Sequence, residues 1–125
     1  MNLLLDTHIL LWWLDDHPNL PNEAKQSIEN PNHLIVVSVV TLWAIAIKAS
    51  LGKIDVPTEF EAALDGEPFQ QLAIKLYHAH AIRNLPAHHR DPFDRMLVVQ
   101  TQQETLTLMT HDKQFSAYDL KLILV

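Results

Sequence analysis

Cysteine is absent from the 125 residues of this sequence. That excludes a disulfide framework, a thiolate zinc site and a thiol nucleophile together. Glycine is scarce, at 2 residues, and no segment is rich in it. Neither a Gly-rich phosphate loop nor a flexible linker can be drawn, and no nucleophile elbow is present, which leaves a small-molecule phosphatase or hydrolase without support. No apolar run approaches the ~20 residues of a membrane-spanning helix, so no membrane partner is expected. The opening Met1-Asn2-Leu3-Leu4-Leu5-Asp6 lacks a basic leader and meets an acid at once, which predicts no secretory signal and a cytoplasmic protein. Positive charge is also sparse: 9 basic residues against 15 acidic leave a net charge of −6 and a pI near 5.6. Bulk charge therefore does not draw this chain to nucleic acid, and any such contact must be local or metal-assisted.

What is present is enough apolar material for a core. Hydrophobic residues make up 48% and charged residues 19%, which predicts one ordered domain over residues 1–125. Leu3-Leu4-Leu5 reads as a buried strand ending on Asp6-Thr7, followed by a helical apolar pattern from Ile9 to Leu14. Pro21 suits the first turn of a helix running to Glu29. Leu34 to Val37 reads as a central strand, and Ser38 as the N-cap of a long helix through Ala49 that ends at Gly52. Thr58 and Glu61 have capping-box spacing. Phe69 to Ile74 reads as strand or loop, Lys75 to Arg83 as helix, and Leu85 to Asp91 as loop. Pro92 opens a helix through Glu104. Leu106 to Met109 is a strand, Asp112 to Tyr118 a helical turn, and Leu122 to Val125 a last strand. Strands alternating with helices predict an α/β fold whose parallel sheet is covered on both faces.

In such a sheet, sites form beyond the carboxyl ends of the strands. Asp6 ends the first strand, Asp112 follows the strand Leu106 to Met109, and Asp94 lies in the first turn after Pro92, with Asp91 just before it. Converging carboxylates raise one another's pKa or recruit a hard cation, and Mg2+ or Mn2+ suits all-oxygen ligation. Each acid also has an ordinary structural use: Asp6 and Asp112 as helix caps, Asp94 as a partner of a helix dipole.

Several segments together resemble the PIN-domain family, and within it the VapC-type toxins of bacterial toxin–antitoxin pairs. They are Leu3-Leu4-Leu5-Asp6-Thr7-His8 with Leu11-Trp12, and Trp43-Ala44-Ile45-Ala46-Ile47-Lys48 with Leu51-Gly52-Lys53. To these are added Leu85-Pro86, His89-Arg90-Asp91-Pro92-Phe93-Asp94-Arg95-Met96-Leu97, and Leu106-Thr107-Leu108 with Thr110 and Asp112. The likeness runs through nearly the whole chain in order. It implies a three-layer α/β/α sandwich around a parallel sheet and a metal-dependent endoribonuclease using Mg2+ or Mn2+. Asp6, Asp94 and Asp112 match the first, third and fourth acids of the family pocket, while Asp91 belongs to the motif and is less suited to direct ligation. A homodimer and a cognate antitoxin are the partners implied.

One departure matters. The family's second acid is the Glu of Trp-Glu-Ile-Ala-Ile-Lys, and here Ala44 occupies its place. A four-acid pocket short of one carboxylate implies weakened metal binding and lowered activity. Either the pocket has decayed naturally, or a deliberate Glu→Ala change lets a toxic nuclease be made. The preserved surroundings, including Lys48 and Gly52, favour the deliberate change. The alternative function is a non-catalytic PIN scaffold that binds RNA or protein.

Lys48, Arg90 and Arg95 are candidate RNA-phosphate contacts. Arg95 could instead orient a neighbouring carboxylate. Lys53 and Lys113 read better as solvated rim. His78-Ala79-His80 and His88-His89 lack a third ligand at zincin-like spacing, which argues against histidine-held zinc. His89, inside the motif, reads as a structural partner near Asp91 rather than a base. Trp12, Trp13 and Trp43 suit core or interface packing better than base stacking. Because adjacent residues diverge on a helix, at least one of Trp12 and Trp13 is expected at a partner surface.

Overall fold

In the computed structural model of the chain, which describes residues 1–125, Leu3, Leu4 and Leu5 form strand β1 (Asn2–Leu5) and all three are buried. A strand sends alternate side chains to opposite faces. Leu3 and Leu5 therefore enter one apolar cluster with Ile9, Leu10, Val37, Ile45 and Met109. Leu4 enters the other, with Val36, Val40, Leu97, Val98, Leu108 and Phe115. Each fully buried Leu stabilises the fold by about 1.5–3 kcal/mol. One strand thus holds two cores apart.

The remaining strands are β2 (Leu34–Ser38), β3 (Gln70–Leu72), β4 (Thr107–Thr110) and β5 (Lys121–Leu124). All pairings are parallel, in the order β3-β2-β1-β4-β5. Leu4 sits between Val36 of β2 and Leu108 of β4. The middle strand is β1. Leu34–Val37 is central as expected: β2 is interior, one place from the middle. The ambiguous segment around residue 70 resolves as the short edge strand β3.

Helices α1 (Thr7–Leu14) and α2 (Asn22–Glu29) cover the first face; α6 (Pro92–Gln103) covers the second. Helix α3 (Val39–Ser50) sends Ile45 to one cluster and Val40 to the other. These layers make the three-layer α/β/α sandwich. Ser38 caps α3 by accepting a hydrogen bond from the Val40 N–H at 3.0 Å. Gly52 follows the helix at φ +70, a left-handed conformation that suits glycine. The short helices α4 (Phe60–Asp65) and α5 (Leu76–Ala81) complete the list, α5 running into a 3-10 turn at Ile82–Asn84.

The capping box expected at Thr58 does not form. The Phe60 N–H bonds the Pro57 carbonyl at 3.0 Å, so a turn moves the helix start beyond Thr58, and Glu59 occupies the cap without a side-chain bond. No helix is long and apolar enough to cross a membrane.

Candidate metal and catalytic site

After β1 the chain runs outward through β2 to β3, then returns to lay β4 on the other side of β1. The carboxyl ends of β1 and β4 therefore diverge in connection and leave a crevice where a parallel sheet places its sites. Asp6 follows β1 directly, and its backbone N–H bonds the Met109 carbonyl of β4 at 3.0 Å. Its Oδ1 accepts from the Thr7 N–H at 2.7 Å, capping α1, while Oδ2 accepts from the Thr110 hydroxyl at 2.6 Å. The same Thr110 oxygen accepts from the Asp112 N–H at 3.0 Å. Asp112 uses Oδ1 to cap the 3-10 turn Lys113–Ala117 through the Gln114 N–H, leaving Oδ2 turned inward.

Helix α6 supplies the third acid. Asp91 is its N-cap, accepting from the Phe93 and Asp94 N–H groups at 2.8 and 3.3 Å, with Pro92 in the first turn, where its missing N–H costs nothing. That cap faces Asp94 inward. His89 Nε2 lies 3.9 Å from Asp94 Oδ2 and 3.4 Å from Asp112 Oδ2. One ligand atom from each of these three residues lies within 4.8 Å of the others. Asp6 lies outside this set and joins it through Thr110. Burial, reinforced by the negative charges of Asp91 and Asp6, pushes the Asp94 carboxyl up to about 7 against the pull of His89 and Lys48. Uncompensated negative charge of this kind favours a proton or a cation.

The His89 ring faces Asp112 and Asp94. The imidazole is buried, lying flat beside Tyr118 at 5.5 Å and 16° and tilted against Phe115 at 4.7 Å. Its backbone N–H bonds the Tyr118 hydroxyl at 2.8 Å. Facing two carboxylates, Nε2 is the nitrogen suited to carry the proton, and the buried Nδ1 has no partner. The signal available in sequence was the position of His89 inside the acid motif, but its contact with Asp112 spans 23 residues.

Ala44 is buried on α3, and Lys48 lies one turn further along the same side, its charge acting on Asp94. Position 44 thus sits at the crevice wall without an oxygen to offer. Arg90 is exposed beside Asp91. Arg95 orients no carboxylate: its guanidinium donates to the Pro86 and Leu85 carbonyls at 3.2 and 3.3 Å and ties down the loop before α6. Lys53 and Lys113 are exposed.

The three tryptophans differ in exposure. Trp12 and Trp13 are both partly buried against the first cluster. Trp13 also donates its indole N–H to Glu67 at 3.0 Å, and Trp12 lies among His8, His17 and His111. The two rings diverge on α1, and each keeps part of its surface open. Trp43 is the exposed one. His78 and His80 do not pair as ligands: His78 is buried and accepts from the Lys75 N–H at 2.9 Å, whereas His80 is exposed.

The cluster offers a divalent ion the carboxylate oxygens of Asp94 and Asp112 beside the His89 imidazole, with no sulfur, and Asp6 adjoins it through Thr110. A family model described as the PIN domain matches residues 3–121. Among curated proteins no match is found. The fold is similar to that of a chain in the VapBC2 complex from Rickettsia felis bound to a DNA fragment from its promoter, at 16% identity and a TM-score of 0.75, covering 99% of this chain and 98% of that one. It is similar to a chain of VapBC-1 from nontypeable Haemophilus influenzae at 22% identity and 0.67, with coverage of 99% and 98%. VapBC-5 from Mycobacterium tuberculosis, a member of the VapBC family of toxin–antitoxin systems, gives 19% and 0.61, again covering 99% and 98%.

Proposed function

The chain belongs to the PIN-domain family, and from that premise we propose that it is a VapC-type, metal-dependent endoribonuclease toxin, weakened by Ala44 and restrained by a cognate antitoxin. The reading takes residues 1–125 as a single domain that forms a homodimer in the cytoplasm. The observation that carries it is the meeting of Asp94, Asp112 and His89 at the switch point of the sheet, with Asp6 tied in through Thr110. The likeness to chains of toxin–antitoxin complexes supports the antitoxin as partner.

Asp6, Asp94 and Asp112 would hold Mg2+ or Mn2+. A bound ion of this kind acidifies water and offsets the charge that develops on a phosphodiester. The protein's own groups do the rest. Thr110 holds Asp6 by its Oδ2 and fixes the Asp112 backbone, so two carboxylates keep their aim without side-chain freedom. His89 presents its Nε2 proton to Asp112 and orients that carboxylate. Lys48 and Arg90 supply local positive charge for RNA phosphates on an otherwise acidic molecule.

Restoring the acid tests the reading. Ala44→Glu is expected to tighten Mn2+ binding by calorimetry at least tenfold and to confer cleavage of structured RNA, and Asp6→Asn added to it is expected to remove cleavage. An Ala44→Glu protein that neither cleaves RNA nor slows growth of its host overturns the proposal. The buried alanine where the family has an acid favours one second reading, a PIN scaffold that binds RNA or protein without cutting. Calorimetry separates the two, since a pure binding module has no need to hold Mn2+ in this crevice.

A further inference from the structure

Trp43 is 54% exposed, although its neighbours Ala44 and Ile45 on α3 are buried. Its ring meets Phe93 edge-on, with centroids 5.0 Å apart and planes at 85°. A T-shaped contact engages at most one of the two faces of an indole, so the other is open to a stacking partner. The pair has a defined place. Successive helix residues turn by about 100°, so Trp43 flanks the wall formed by Ala44 and Lys48. On α6, Phe93 stands beside Asp94 in the same way and is pinned by the Asp91 cap. The flanks of two packed helices thus join in one aromatic ridge along the rim of the acid crevice. Arg90, three residues before Phe93, is exposed, and Lys48 acts on Asp94, the residue after Phe93. An apolar protein segment would desolvate those charges, whereas a base linked to phosphates presents a π face to the ridge and negative charge to the cations.

We infer that Trp43, braced by Phe93, stacks an unpaired RNA base and so positions the strand across the acids. This rests on the ribonuclease reading and deepens it. Trp43 is a positioning residue that acts by holding the strand.

The probe is an eight-residue oligouridylate in Mg2+, compared with a ribose-phosphate chain of equal length that carries no bases. Affinity is read by fluorescence anisotropy on the full chain. Trp43→Ala is expected to weaken oligouridylate binding roughly 5- to 150-fold, the range typical of one lost stack. Binding of the baseless chain is expected to be unchanged, and Trp43→Phe to recover part of the loss. In the Ala44→Glu background, Trp43→Ala is expected to raise KM and leave kcat within about twofold. An equal loss for both probes, or no loss for either, overturns the stacking role. So does a Trp43→Ala protein whose RNA affinity is intact but whose dimer dissociates in sedimentation, because the ridge is then a contact between copies. Cleavage by Ala44→Glu with a Trp43-independent KM overturns the inference and leaves the ribonuclease reading standing. Absence of both cleavage and RNA binding removes the two together.

Discussion

Thr110 donates its hydroxyl to Asp6 Oδ2 at 2.6 Å, a bond between residues 104 apart in the chain. Because the same oxygen accepts the Asp112 N–H, one buried threonine at the end of β4 sets the positions of two acids. Thr110→Val keeps the volume and deletes the hydroxyl, leaving a buried N–H and a carboxylate short of partners. The expected loss is about 2–4 kcal/mol in denaturant unfolding, with Thr110→Ser close to the parent chain.

Removing the His89 ring should be costly in two ways. It empties a slot between Phe115 and Tyr118 and withdraws the group that opposes the rise in the Asp94 pKa. His89→Ala is expected to destabilise the protein by about 2–4 kcal/mol. Carboxyl NMR should show Asp94 titrating at higher pH than in the parent.

The Asp94 carboxyl gives stability a pH slope. Its pKa rises from 3.8 to about 7 on folding, so the native state binds the proton more tightly and stability falls as pH climbs through that interval. Asp94→Asn abolishes this slope. In chelator, its melting temperature is expected to exceed that of the parent by a few degrees near pH 8, with the two converging near pH 4.

His78 acts in the opposite sense. Burial pushes its imidazole below the ordinary 6.5, against the pull of Glu104 and with the help of Lys75. The folded state therefore favours neutral His78, and its contribution is lost as pH falls below about 6.5, where the unfolded chain takes up the proton. His78→Gln is expected to flatten the stability profile between about pH 7 and 5. Its plateau should be lower by about 1–2 kcal/mol, because the bond accepted from Lys75 is weakened.

Local patterns carried most of the elements. The Leu3–Leu5 run, the Ser38 cap, Pro92 at a helix start and Gly52 at a helix end are decided by neighbours within a few residues, and the structure agrees with each. Thr58 misled because a turn on Pro57 competes with the capping box, a contest of small energies that spacing alone does not settle. The hold of Arg95 on the loop was not legible because backbone carbonyls are invisible in a residue pattern. Trp43 is exposed where core or interface packing was expected, because burial depends on which segments fold over a helix.

By itself, the sequence determined an α/β alternation and a supply of acids at strand and helix ends, since both follow from short-range periodicity and capping chemistry. Only the tertiary structure decided that β1 is the middle strand, that Thr110 links Asp6 to Asp112, and that His89 stands between Asp94 and Asp112. The physical reason is that strand order and side-chain convergence are set by packing two apolar cores on opposite faces of one sheet, which joins residues that local chain stiffness leaves independent.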